Sequence, residues 1–328
     1  MIKYSLILLF ALMFFYSCGS DSGVNVPQNS GSITVNNLKT IDKNIEGTYE
    51  LWGSVESASD HGENAYRSMG RFTVNSSGTV LDTSGAPFSP YMGKITNINY
   101  VSDIIVTIQP PGYNDTIPSN IKILGGPKNV SGGAVVFDLT MNYRDILPAS
   151  SQFSTSEARF ILASPSAGTA SAEYQKGLWF TTDTNGTIAG LTLPALPDTA
   201  EWTYQAWVIN NSNSAYIYNM GRFTASNQAD NNQQCRLNGG LEWNYPGHDW
   251  LQPNCPGGGL PDILSLNNGY SVIITLEPKF EQGSALNIPF YLKIFESAIN
   301  VQPFGILQHM FNHFSSLVPT AQVRLTAN

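Results

Sequence analysis

The stretch TYELW, from Thr48 to Trp52, returns as TYQAW from Thr203 to Trp207, and this repetition decides the fold. The residues that align without a gap around the two tryptophans are Leu38, Ile41, Thr48, Tyr49 and Trp52 in the first copy, and Leu193, Leu196, Thr203, Tyr204 and Trp207 in the second. An ungapped match of this extent indicates an internal duplication.

Further blocks repeat in the same order along the chain. They are MGRFT at 69–73 and 220–224, IIVTIQP at 104–110 against VIITLEP at 272–278, NIKIL at 120–124 against YLKIF at 291–295, and VVFDLT at 135–140 against AQVRLT at 321–326. Because order is kept throughout, we predict a duplicated domain rather than chance similarity between strands.

Each repeated block has the pattern of a β-strand. In the first copy Tyr49, Leu51 and Val55 are predicted to share one face, and Ile104, Val106 and Ile108 to share one face, as the period of two requires. Turn sequences such as NSSG, DTSG and DTNG separate the blocks at short spacing. The sequence therefore predicts an all-β protein made of two tandem antiparallel β-sandwich domains.

The predicted boundaries follow the repeats. Repeat 1 covers 32–145 and repeat 2 covers 146–328, where ARFILAS and KGLWFTT supply two additional strands. Between Gly305 and Pro319 the apolar residues recur at helical spacing, which predicts one short C-terminal helix. The residues of its apolar side are Ile306, Leu307, Met310, Phe311, Phe314, Leu317 and Val318.

The repeated pattern resembles the extracytoplasmic β domain of anti-sigma-K type factors. The shared features are an aromatic-x-x-Trp strand, Gly-x-Phe and a strand ending in Thr-x-Glu-Pro, which the second repeat carries as Tyr204, Trp207, Gly221, Phe223, Thr275, Glu277 and Pro278. The first repeat has Gln109 where the pattern has Glu. In that family a separate cytoplasmic helical domain captures the sigma factor. Because the resemblance here is to the β domain alone, it implies the fold and an envelope location.

The first residues have the features of an export signal. Lys3 precedes an apolar run from Leu6 to Tyr16, and the run ends at Ser17 and Cys18, which resembles the lipobox of bacterial lipoproteins. We therefore predict a signal peptide at 1–17, lipidation of Cys18, and a flexible tether at 18–31. The alternative is an ordinary secretory signal whose cysteine is incidental.

The chain has three cysteines, an odd number for an exported protein. Acylation of Cys18 would leave Cys235 and Cys255, which we predict to form a disulfide in an oxidising compartment. The alternative is two unrelated buried thiols.

Composition and motifs exclude several kinds of function. With 16 Lys and Arg against 24 Asp and Glu, the chain has no basic excess to neutralise phosphates, so nucleic acid is not an expected partner. The sequence contains no G-x-S-x-G, no H-E-x-x-H and no phosphate loop, and we predict neither an enzyme nor a cofactor. His309 and His313 have helical metal-ligand spacing, and Asp183 begins a partial calcium-loop pattern, but neither set is complete, so no metal is expected.

The second repeat carries a longer segment between its MGRFT and ITLEP blocks, which includes LEWNYPGHDW. Its candidate binding residues, suited to stacking on sugars or anchoring a protein partner, are Trp243, Tyr245, His248, Asp249 and Trp250. The alternative is that these rings fill a small core beneath the loop.

Together these features predict a lipid-anchored protein of the bacterial cell envelope, at the outer membrane, with a non-enzymatic binding or structural role. Its expected partners are the membrane, through the N-terminal lipid, and an envelope protein or glycan. Two alternatives remain from other classes: a sensory protein of the anti-sigma type, and an enzyme acting on glycans.

Overall fold

The computed structural model describes residues 29–55, 65–93, 95, 97–114, 116–168, 172–213, 216–232, 235–237, 240, 242–252, 265–267, 269–279 and 287–327. The predicted signal peptide, Cys18 and most of the predicted tether lie outside these ranges. The described residues form an all-β protein with antiparallel sheets, as the sequence predicts.

Seventeen strands are present in the described part of the chain. They are β1 Ser30–Asn36, β2 Thr48–Ser54, β3 Tyr66–Val74, β4 Val80–Asp82, β5 Asp103–Gln109, β6 Lys122–Ser131, β7 Ala134–Thr140, β8 Arg159–Leu162, β9 Gly177–Trp179, β10 Trp202–Asn210, β11 Ile217–Phe223, β12 Gly247–Asp249, β13 Tyr270–Pro278, β14 Lys293–Ala298, β15 Gln308–His309, β16 Phe311–Asn312 and β17 Thr320–Thr326. Two short α-helices accompany them, α1 Ser150–Ser154 and α2 Phe314–Leu317.

The strands form three sheets. The largest has the order β1-β17-β7-β6-β5-β2-β3-β4, the second has the order β11-β10-β13-β14-β16, and the third has the order β12-β9-β8-β15. Edge strands β1 and β4 of the largest sheet lie near each other, because the sheet curls.

The four central strands of the first two sheets have the same arrangement. The order β3-β2-β5-β6 in the first half matches β11-β10-β13-β14 in the second. Trp52 pairs with Ile105 as Trp207 pairs with Ile273, and the ladder is interrupted just before each tryptophan. The aligned sequence blocks therefore occupy equivalent strands, with equivalent registers.

The final strand departs from the predicted division into tandem domains. The repeats align β7 with β17, yet the two strands pair with each other, Phe137 opposite Val323, inside the first sheet. The corresponding place beside β14 is taken by β16. Strand pairing therefore crosses the boundary predicted at residue 146.

The halves also share one core. Tyr49 and Leu51 of β2 lie in the same continuous apolar cluster as Ile274 of β13 and Phe295 of β14. The Tyr49 and Tyr291 hydroxyls are 3.2 Å apart, and the Trp202 indole N–H donates to the Lys122 carbonyl at 3.1 Å. Burial of one joint apolar surface gives both halves a common source of stability.

The predicted C-terminal helix is only partly correct. Between Gly305 and Pro319 the chain forms β15, β16 and then α2, a single turn. Phe311, placed on the apolar side of the predicted helix, is 70% exposed, whereas Met310 is 8% exposed. The segment pairs with two other strands instead of forming a helix: Gln308 lies opposite Phe160, and Phe311 lies opposite Glu296. Strand pairing thus outweighs the helical spacing of the apolar residues.

Candidate functional site

The predicted binding loop lies mostly inside the protein. Trp243, His248, Asp249 and Trp250 are each at most 5% exposed. Tyr245 is partly exposed, and its hydroxyl donates to the Thr187 carbonyl at 2.8 Å. This burial contradicts the hypothesis that Trp243 and Trp250 form an exposed aromatic surface, because buried rings cannot stack on a glycan or contact another protein.

The two tryptophans fill different cores. Trp243 packs with Ile161, Ala163 and Trp179 in a small separate cluster, and its ring meets that of Trp179 edge-on at 5.4 Å. Trp250 belongs to the main core. The alternative reading of a satellite core beneath the loop therefore describes Trp243.

Asp249 holds this region together by hydrogen bonds. Its carboxylate accepts the Trp179 indole N–H at 2.6 Å, and the Ser166 hydroxyl and amide at 2.6 and 2.9 Å. Burial raises the pKa of Asp249, against these donors, which lower it. The residue joins β12 to β9 and to the 165–167 turn, which is a structural role.

Arg236 is the buried cation of the same region. It pairs with Glu242, donates to the Gly247 carbonyl at 2.8 Å and lies 4.8 Å from the centre of the Trp179 ring. Its guanidinium is 3.7 Å from Asp230. These contacts compensate part of the guanidinium's lost hydration, although its buried Nε has no hydrogen-bond partner among the described residues.

Asp230 and His248 have strongly shifted acidities. Burial raises the pKa of Asp230 to about 7, although the Gly247 amide and Arg236 act in the opposite direction. Burial, with the charge of Arg236, lowers the pKa of His248 to about 3. At neutral pH His248 is therefore an uncharged core residue.

The other candidate ligands do not come together. His309 lies in β15 and His313 precedes α2, so they do not share a helix as predicted. Among the described residues, no group of three or more His, Cys, Asp or Glu side chains could hold a metal ion.

Asp183 closes a turn. Burial alone would raise the pKa of its carboxyl group, but hydrogen bonds from Thr187, Ile188 and Thr181 lower that pKa to about 2.

Cys235 is buried in the second half of the chain. Cys255 lies outside the described residues, so the predicted disulfide stays a prediction.

A cleft in the first half offers an accessible site that sequence reasoning missed. It has a volume of about 70 Å³ and lies over the face of β5 that carries Ile105, opposite the main core. Its lining residues are Tyr66, Ile105, Pro118, Lys122, Tyr143, Arg144 and Ile146. Apolar walls with a few convergent polar groups are the usual composition of a binding site.

Asp103 organises one side of the cleft. This buried carboxylate accepts the Tyr66 hydroxyl at 3.0 Å and the Tyr143 hydroxyl at 2.8 Å through the same oxygen, and Arg144 lies 3.5 Å from it. Burial and the adjacent carboxylate raise the pKa of both tyrosines, so both remain protonated donors. The donors to Asp103 fix the two rings that form the cleft.

Arg144 is held in an unusual backbone conformation. Its φ of 47° and ψ of 49° are in the left-handed region, where a side chain other than glycine costs on the order of 1 to 2 kcal/mol. The guanidinium lies 5.2 Å from the centre of the Tyr143 ring and is about 40% exposed. Backbone strain of this kind is concentrated at functional sites, where surrounding contacts maintain it.

Lys122 is the second cation of the cleft. Within the described ranges its ammonium has no hydrogen bond or ion pair. The equivalent residue of the second half, Lys293, instead pairs with Glu296 at 3.1 Å. The position of Glu296 is occupied in the first half by Gly125, which lies opposite Ile105 as Glu296 lies opposite Ile273.

Two further replacements confine the cleft to the first half. Asp103 and Tyr66 correspond in register to Ser271 and Ile217, so the second half has neither the carboxylate nor the tyrosine. At Gly125 a β-carbon would lie 2.4 Å from the Tyr143 ring, so only glycine lets that ring cover the strand. The cleft thus lies in one of two four-stranded arrangements that have the same strand order.

Comparisons of this chain with protein-family models, with curated proteins and with solved structures found no match. No helix of the described residues is long and apolar enough to cross a membrane.

Proposed function

We propose that this protein is a lipid-anchored component of the bacterial cell envelope that binds a partner without catalysing a reaction, and that the cleft around Lys122 and Arg144 is its binding site. The N-terminal apolar run ending at Cys18 supports the anchor and the location at the outer membrane. The observation that carries the binding role is the cleft itself, where Lys122 has no ion pair among the described residues, whereas the equivalent Lys293 of the second half pairs with Glu296.

The second half supplies the contrast that supports a binding role. There the equivalent lysine is neutralised by Glu296, as expected for a residue that serves only the fold. In the first half Lys122 is unpaired among the described residues, and the position equivalent to Glu296 is Gly125, which lies beneath the Tyr143 ring. Binding residues are usually found where a rigid scaffold varies between otherwise similar copies.

In vivo photo-crosslinking tests the binding role. A photoreactive amino acid replaces Ile146, which lines the cleft, and in a matched control replaces Val130, which is 74% exposed near the end of β6. We expect a defined adduct from position 146 in intact envelopes and none at the same mass from position 130. Failure of position 146 to form an adduct, with the protein folded and exported, would contradict the proposal.

Metabolic labelling with a fatty acid tests the anchor separately. The wild type should incorporate the label and partition into detergent, and Cys18→Ser should do neither. Label that persists in Cys18→Ser would exclude lipidation at this residue.

A second candidate is a regulatory protein of the anti-sigma type. It is favoured because three residues of the family pattern are joined by hydrogen bonds: the Trp207 indole donates to the Thr275 hydroxyl at 2.9 Å, and the Thr275 hydroxyl donates to the Glu277 carboxylate. If the candidate is correct, deleting the gene should change transcription from promoters of an extracytoplasmic-function sigma factor. Unchanged transcript levels across envelope stresses would remove it.

A further inference from the structure

We infer that the cleft binds a carboxylate group carried on a short aliphatic stem. The inference rests on the proposed binding function and names the chemistry of the ligand.

The hydrogen-bonding groups of the cleft are unbalanced toward donors. The Asp103 oxygen that faces Tyr66, Tyr143 and Arg144 is saturated, since two hydroxyls and a guanidinium already share it. Both tyrosine protons are committed to that oxygen. The two tyrosine oxygens still have lone pairs that can accept a hydrogen bond. The remaining donors are the Lys122 ammonium and the outer N–H groups of Arg144, which cannot accept. A ligand that satisfies these two cations must accept hydrogen bonds.

Charge selects an anion over a neutral acceptor. Lys122 and Arg144 together carry two positive charges against the single negative charge of Asp103. Hydrogen bonds between such cations and a carboxylate are about twice as strong as neutral ones. The planar guanidinium also matches the two oxygens of a carboxylate.

The size and walls of the cleft define the rest of the ligand. A volume of about 70 Å³ has room for several water-sized groups, since one water needs on the order of 10 to 15 Å³ by the same measure. Ile105, Pro118 and Ile146 line it with apolar surface. A short aliphatic stem fits this lining.

In the second half the equivalent lysine has a partner within the protein. There a glutamate carboxylate, that of Glu296, pairs with Lys293. In the first half Gly125 removes that carboxylate and Tyr143 covers the vacated strand. Because the Tyr143 ring occupies the place of a side chain at position 125, a carboxylate supplied from outside would have to meet Lys122 from within the cleft.

Solution NMR titration of the purified full chain with sodium butyrate tests the inference. Butyramide is the neutral probe of equal shape, and capped glutamate, N-acetyl-glutamyl-N-methylamide, presents the same group as a protein side chain. We expect saturable shifts of amides in β5, β6 and 143–146 with butyrate or capped glutamate, and at least tenfold weaker binding of butyramide. Tighter binding of capped glutamate assigns the carboxylate to a protein partner, and tighter binding of butyrate assigns it to a free acid.

Three variants locate the site. Lys122→Gln should weaken carboxylate binding about tenfold or more, while Lys293→Gln, the matched control in the second half, should leave it unchanged. Arg144→Gly removes the guanidinium at a backbone conformation that glycine adopts without strain, and it should also weaken binding about tenfold with the fold retained. Thermal unfolding of each variant verifies the fold.

Equal binding of butyrate and butyramide, or unchanged binding by Lys122→Gln, would overturn the inference. The proposed function fails separately. If position 146 forms an envelope adduct but no carboxylate binds, the binding role stands and this ligand class is excluded. If a carboxylate binds but no envelope adduct forms, the ligand class stands and the envelope partner is excluded.

Discussion

Trp52 and Trp207 make the same hydrogen bond at the same place in two different sheets. The indole of Trp52 donates to the Thr107 hydroxyl at 3.0 Å, and that of Trp207 donates to the Thr275 hydroxyl at 2.9 Å. Both rings are fully buried, each just after an interruption of the ladder. The repetition extends to Tyr49 and Tyr204, whose hydroxyls donate to carbonyls ten residues earlier in the chain.

Truncation of either tryptophan should destabilise the protein to a similar extent. Trp52→Ala and Trp207→Ala should each lower the free energy of unfolding by about 3 to 5 kcal/mol, because each leaves a large cavity. Thr107→Val and Thr275→Val should each cost about 1 to 3 kcal/mol, because a buried indole N–H then loses its acceptor. Denaturant unfolding measures all four. A neutral effect at one tryptophan and a large one at the other would show that the two positions are not equivalent.

Gly70 and Gly221 are equivalent in backbone and different in surroundings. Their φ angles are 118° and 119°, so alanine is strained at both. At Gly221 a β-carbon would lie 2.2 Å from Asp230, whereas at Gly70 it would lie 3.1 Å from Phe88. Gly221→Ala should therefore lower the melting temperature clearly more than Gly70→Ala, because Asp230 is tied to the Gly247 amide and cannot move away. Equal losses at the two glycines would contradict this.

The repeated strands could be predicted from the sequence because their signals are local. Alternating apolar residues and turn residues are visible within a few positions, and the register of TYELW and TYQAW follows from the aligned tryptophans. The crossing of β17 into the first sheet could not be predicted, because AQVRLT matches VVFDLT in pattern and nothing in either stretch states which strand it pairs with.

The errors at the candidate site have a similar cause. The segment GHD forms β12 against β9, about seventy residues earlier in the chain, and this pairing buries His248 and Asp249. Local sequence carries no sign of it. The cleft was in principle readable as a difference between the repeats, Gly125 for Glu296 and Asp103 for Ser271, each one residue outside an aligned block, but nothing in the sequence shows that Tyr66 and Tyr143 meet at Asp103.

Replacing the buried tryptophans of the predicted binding loop should now reduce stability rather than binding alone. Trp243→Ala and Trp250→Ala should each cost about 3 to 5 kcal/mol, because both rings are buried in apolar clusters. Tyr245→Phe is the control within the same loop, since it removes one partly exposed hydrogen bond and should change stability by about 1 kcal/mol or less. Tryptophan variants that melt like the wild type would restore the hypothesis of an exposed surface.

The predicted pairing of Cys235 with Cys255 is tested by mass spectrometry of the exported protein without reduction. The expected result is one intramolecular disulfide, which should stabilise the closed loop by roughly 3 kcal/mol. Reduction should lower the melting temperature by a corresponding amount. Two free thiols in the exported protein would contradict the prediction.

Asp230 and His248 should give opposite dependences of stability on pH. The pKa of Asp230 is raised to about 7 from an unfolded value near 3.9, so its contribution to stability is present below about pH 4 and lost as pH rises through about 7. The pKa of His248 is lowered to about 3 from an unfolded value near 6.5, so its contribution is present above about pH 6.5 and lost as pH falls. Between about pH 4 and 6.5 the folded pair and the unfolded pair each bind one proton, and the two slopes cancel.

Single variants should reveal the slopes that cancel in the wild type. The stability difference between the wild type and Asp230→Asn should decline by about 1.4 kcal/mol per pH unit as pH rises from about 4 to 6.5, because only the wild type carries the raised carboxyl pKa. The difference between the wild type and His248→Phe should rise by a similar amount per unit over the same range. Subtracting the stability of the variant from that of the wild type removes, to a first approximation, the shared contributions of Arg236, Glu242 and Asp249.

Urea unfolding at half-unit pH steps measures both stability differences. Slopes of the same sign for the two variants would show that the proton does not reside on Asp230 in the folded protein.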